Sequence, residues 1–194
     1  MKKINFHNFV LVFVIMFCLI LLVLQNAGVI SGNIIEFPVS SNVSINKYLA
    51  VSFSANLSDG ILFGDVVVLP AIKINASHNY DGGDNFTSIY ITVSEDGNTA
   101  VDFCTRADDA LRSIANDTIE LGNETYANSS LSNLTIPDLA NNLSLTTSYV
   151  KTGNAVGVGG INYYRFWLDV PAAQPSGNYN NSISFKGVQT GVSC

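Results

Sequence analysis

The stretch Ile161–Val170, INYYRFWLDV, carries the reading of the fold. Tyr164, Phe166, Leu168 and Val170 recur at a spacing of two, the period of a strand with one face against a core. Pro171 ends the run, because proline has no N–H to give to a ladder. Residues 175–178 (PSGN) then make a turn, and Tyr179, Ile183 and Phe185 predict a returning strand.

Upstream the same alternation repeats in short pieces. Ile89, Ile91 and Val93 point one way and Tyr90 and Thr92 the other, and Val101 and Phe103 lead into Cys104. Residues 95–98 (EDGN) between them read as a hairpin, since Asp-Gly supplies the positive φ of a tight turn. Val43, Ile45, Leu49, Val51, Phe53 and Ala55 alternate, residues 56–60 read as a turn, and short strands are predicted at 61–63 and at 66–69 before Pro70. Ile72 and Ile74 alternate once more, residues 143–150 resume the pattern, and the glycines of 153–160 form a linker or bulge. The helical spacing of Ala110, Leu111 and Ile114 behind Asp108 and Asp109 predicts one short helix over 107–115. The expected fold is an all-β, antiparallel Greek-key β-sandwich with that single helix.

Lys2 and Lys3 precede an apolar run over residues 9–24, followed by small residues. This is the layout of a secretory leader, and a run of sixteen falls short of the roughly 20 residues that cross a bilayer. Val29 and Ser31 suit a cut before Gly32. The predicted organisation is a hydrophobic signal helix or membrane anchor over 1–31, an extended arm over 32–42, and a β-sandwich over 43–194. Membrane contact is expected only through the N-terminal helix if it is retained.

Ten Asn-x-Ser/Thr sequons follow the leader: Asn42, Asn56, Asn75, Asn85, Asn116, Asn123, Asn128, Asn133, Asn142 and Asn180. With 22 Asn and 31 Ser plus Thr in 194 residues, chance pairing gives roughly 3.5. Crowding of these residue types in turns inflates coincidence but does not account for a near threefold excess. N-linked glycans are therefore expected partners, densest over 116–133. Beyond the leader the formal charge is −8, from fifteen acids and seven bases, which argues against nucleic acid as a partner.

Cys104 and Cys194 form an even pair in a chain that reads as exported, most simply one disulfide; two free thiols, a terminal thiol used for lipid or intermolecular linkage, or a metal site poor in ligands are the alternatives. Catalytic chemistry has little to stand on. His78 is the only histidine beyond the leader and has no G-x-S-x-G elbow with it, so no catalytic residue, cofactor or enzymatic activity is expected. Asp81 and Asp84 in YDGGDN are a weak calcium pair without EF-hand spacing, with Asp102, Asp108 and Asp109 as a second weak carboxylate group. Tyr163, Arg165 and Trp167 share the other face of the principal strand. They form either a ligand face or, in a strand buried on both sides, part of the core.

The segments YYRFWLDVPAAQPSGNYNNSISF (163–185) and NLSDGILFG (56–64) resemble the closing hairpin and an early stretch of secreted immunoglobulin-like sandwich domains on archaeal and bacterial surfaces. Camelysin-like biofilm fibre subunits and archaeal filament proteins are among these. The resemblance implies a structural, non-enzymatic role outside the cell, with copies of the chain or other cell-surface proteins as partners. In such proteins an N-terminal strand is given to a neighbour's sheet; here residues 33–39 (NIIEFPV) would be that arm, with Ile35 and Phe37 as plugs. The alternative is that the arm completes its own sheet, or that the chain is a monomeric or membrane-anchored adhesion or carbohydrate-binding module.

Overall fold

The computed structural model describes residues 6–26, 40, 42–81 and 86–194. The chain divides into two compact units, Met1–Ser44 and Ile45–Cys194. In the first, α1 (Phe6–Asn26) is a 21-residue apolar helix. Among the described residues no helix is long and apolar enough to cross a membrane. Residues 32–39 of the arm, Ile35 and Phe37 among them, lie outside the described residues.

The second unit is all-β and antiparallel. Its strands are β1 (Val51–Phe53), β2 (Ala71–Asn75), β3 (Tyr90–Val93), β4 (Val101–Ala107), β5 (Leu111–Arg112), β6 (Thr118–Ile119), β7 (Glu124–Ser129), β8 (Leu143–Ser144), β9 (Val150–Val156), β10 (Ile161–Val170) and β11 (Ile183–Gln189). One sheet runs β1-β3-β10-β7-β8, with β2 also on β10. A second runs β11-β4-β9, and β5 and β6 form a separate pair.

β10 is central because both of its edges are used. β3 and β2 share one, along its first and second halves, and β7 takes the other from Tyr163 to Leu168. Its inward residues meet the second sheet in an aromatic core. Tyr164 and Phe166 lie 5.2 and 6.4 Å from Phe185, ring centre to ring centre, at steep angles. Such edge-to-face pairs add roughly 0.5–1.5 kcal/mol each beyond the area they bury. Ile89, Ile91, Val93, Val101 and Phe103 complete the core and are all buried, as their alternation requires.

Several sequence expectations are corrected. Residues 107–115 are not a helix: β4 continues to Ala107, which pairs with Ile183, and Leu111–Arg112 pairs with β6. A nine-residue helix is marginal alone, and Asp108 and Asp109 spend their carboxylates on nearby backbone N–H groups instead. The one-turn helix of this unit is α2 (Ala55–Ser58), where a turn was read, capped by the Ser54 hydroxyl accepting from Leu57 N–H. Residues 61–63 and 66–69 form no strand, although their composition suits one. Strand propensity reports fitness for a paired, half-buried surface, and here no pairing partner is present among the described residues.

The turn at 95–98 closes, with Gly97 N–H on Ser94 O at 3.0 Å, but it carries the chain from one sheet to the other. Likewise β11 pairs with β4 and not with β10, so residues 171–182 are a crossover where a closing hairpin was read. The glycine-rich region is a bulged strand: Gly153 sits where a Cβ would lie 2.9 Å from the Phe103 ring.

Candidate functional site

Among the described residues the two main sheets end in β1, β8, β9 and β11, and these edges differ in how they are finished. At β9, Asn128 and Asn162 both reach the Thr152 carbonyl with their side-chain amides. At β11, β4 takes one edge and no strand among the described residues takes the other. The short edge strand β1 stands beside it, with Phe53 6.3 Å from Phe185 between ring centres. Beside them opens an apolar groove of about 1040 Å3. Its lining includes Phe53, Leu57, Ile183 and Phe185 of β11, Leu168 and Val170 of β10, and residues 60–67.

Two carboxylates line this groove, the exposed Asp65 and the buried Glu124. Glu124, the first residue of β7, is 1% exposed, and its Oε2 accepts 2.7 Å from Asn181 Nδ2. Burial pushes its carboxyl up to about 6; the Asn181 hydrogen bond opposes the rise and the Asp108 charge adds to it. Sequence pattern alone gave no warning of this, because Glu124 sits within a sequon and reads as a solvated loop residue.

The tail beyond β11 closes the outer face of β4. Cys104 and Cys194 are joined, with their Cα atoms 5.9 Å apart and a separation of 90 positions in sequence. Beneath the tail Asp102 is fully buried, accepting from Ala155 N–H at 2.7 Å, Lys151 Nζ at 2.5 Å and Gly191 N–H at 3.3 Å. The Ala155 and Lys151 hydrogen bonds hold its carboxyl down at about 2. Asp102 therefore does not join Asp108 and Asp109 in a cluster. Among the described residues no group of three or more His, Cys, Asp or Glu is placed to hold a metal ion. Asp81 bridges to Phe86 and stands 3.5 Å from His78 Nδ1; Asp84 lies outside the described residues.

Of the two readings of this face of β10, the core one holds for Arg165 and Trp167, which are 0% and 1% exposed; Asn79, Tyr80, Thr87, Asn133 and Pro137 close over Arg165. Arg165 donates to Asn79 O, Thr87 Oγ1, Pro137 O and Asn133 O at 2.6–2.8 Å and lies over the Tyr80 ring. Trp167 Nε1 donates to Asn75 Oδ1 at 2.8 Å. Only Tyr163 is half-exposed, edge-on to Tyr90.

The sequons sort by geometry. Asn42, Asn75, Asn116 and Asn180 are exposed, while Asn56, Asn123, Asn128, Asn133 and Asn142 are half-buried; Asn85 lies outside the described residues. Asn128, within β7, has its side-chain amide directed at Thr152 O and Asn162 Oδ1. Asn56 and Asn142 donate to Ser88 Oγ and Thr125 Oγ1. The stretch 116–133, where the sequons are densest, is thus in part strand.

Fold and groove together define an all-β antiparallel domain, disulfide-closed, whose β11 edge is unpaired among the described residues. No family model matches the chain, and no curated protein matches it.

Proposed function

We propose that this chain is a non-enzymatic, glycosylated structural protein of the cell surface, a filament or surface-layer subunit of immunoglobulin-like Greek-key type joined by strand donation. Residues 1–31 serve as leader or anchor, and residues 33–39 of one copy add a strand to the next. The observation that carries this reading is the unpaired edge of β11 beside an apolar groove. An exposed edge is a template for another chain, and an added strand gains affinity from backbone bonds and register from alternate side chains. Ile35, Phe37 and Val39 alternate as such a strand requires. The carbohydrate-module reading loses two of its three platform residues to burial.

Electron microscopy and intact mass of native surface material test the proposal. Fibres, together with a mass several kilodaltons above the 20.8 kDa chain, are expected, and deletion of residues 32–39 is expected to abolish the fibres. A bare monomer from the native surface would overturn it.

A further inference from the structure

We infer that residues 61–69 (ILFGDVVVL) are a placeholder lid, seated in the groove beside β11 until the arm of a second copy displaces it. The inference rests on the strand-donation reading above and adds how the acceptor is kept closed.

The lid is held by side chains more than by backbone. Ile61 and Phe63 rest on the aromatic core, and Phe63 and Val66 on the smaller cluster around Leu111, Leu168 and Val170. In contrast, its backbone makes one hydrogen bond to the rest of the domain among the described residues, from Ser77 N–H to Leu62 O at 2.7 Å. Leu62, Val67 and Val68 face outward at 57, 91 and 70% exposure. A run with high strand propensity thus covers the groove without joining a ladder, next to a strand that has an edge to offer.

Hinges are present at its start and middle. Gly60 and Gly64 have φ of +100° and +70°, which L side chains rarely adopt. The lid and arm also share a pattern. Ile61-Leu62-Phe63-Gly64 places isoleucine and phenylalanine two apart and then breaks, as does Ile35-Glu36-Phe37-Pro38 in the arm. Residues two apart on an extended chain point the same way, so Ile35 and Phe37 present to the groove the two side chains that Ile61 and Phe63 already place there. The arm can add ladder bonds to β11 as well.

A lid of this kind lowers the apparent affinity of the groove by the fraction of time it is open. The test uses the full chain with its own arm silenced by Ile35→Asp and Phe37→Asp, and a fluorescent peptide of residues 32–40 (GNIIEFPVS) as probe. Phe63→Ala is expected to tighten peptide binding at least tenfold. As a second measurement in a chain with Phe63 intact, Val66→Cys is expected to be alkylated at least threefold faster at saturating peptide, the site being located by peptide mass. If the peptide binds but neither Phe63→Ala nor the alkylation rate responds, the lid inference is overturned and strand donation stands. If the peptide binds neither chain, both fall.

Discussion

At the scale of single residues, the two buried carboxylates respond to pH in opposite directions. Glu124 has a folded pKa near 6 against an ordinary 4.5, so the folded state holds the proton more tightly than the unfolded one. Its contribution is fully present below about pH 4.5 and is lost as pH rises through 6. Glu124→Gln keeps an acceptor for Asn181 and removes the charge. It is expected to raise stability at pH 7–8 by about 2 kcal/mol, at roughly 1.4 kcal/mol per pKa unit, with the two urea curves converging below pH 4.5; equal midpoints at pH 8 would refute this. Asp102, held down at about 2 from an ordinary 3.8, contributes above pH 4, and that part is lost on acidification towards 2. Among the sequons, glycosylation consumes an amide hydrogen and needs outward room. Glycopeptide mapping of native protein is therefore expected to find Asn116 and Asn180 occupied and Asn128 bare, and sugar on Asn128 would contradict the packing of β7 against β9.

At the scale of elements, the disulfide holds the tail across β4 and closes a loop of 90 residues. The chain-entropy model values such a closure at about 4–5 kcal/mol. Replacing Cys104 and Cys194 by serine is expected to lower the unfolding free energy by about that much while leaving far-ultraviolet circular dichroism unchanged, and an unshifted urea midpoint would show that the tail does not rely on the bond. This pairing was legible from cysteine parity, as β10 and β3 were legible from their period of two. What the sequence concealed was partnership. Ile61, Phe63 and residues 66–69 look like strands by composition, yet a strand exists only where another offers it a ladder. The helix expected from Leu111 and Ile114 failed for a related reason: Ala107 was already committed to Ile183, and Ile114 is 95% exposed with no core to meet. For Arg165 and Trp167 the sequence left ligand face and core both open, because nothing local announces that residues more than 25 positions away will cover them. The groove was invisible for the same reason, since its walls come from β1, β10 and β11 and meet only through the crossover at 171–182.

At the scale of the whole molecule, a chain that gives a strand at one site and receives one at another makes a heterologous, head-to-tail contact, which grows without closing unless the rotation forms a ring. The two halves of that contact can be disabled separately. Ile35→Asp with Phe37→Asp leaves the groove intact and removes the plugs, giving a subunit that only receives. Phe53→Lys, at a half-exposed groove residue that contributes little to the core, places a charge in an apolar wall and gives a subunit that only donates. The parent chain is expected to form fibres as its concentration rises, and each variant alone is expected to stay monomeric in light scattering over the same range. Mixed one to one, they are expected to form a dimer that goes no further, because the dimer has one silenced arm and one blocked groove left over. Fibres from the Ile35→Asp, Phe37→Asp variant alone would show that residues 33–39 do not make the contact. Full-length fibres from the mixture would place the contact at a different surface of the domain.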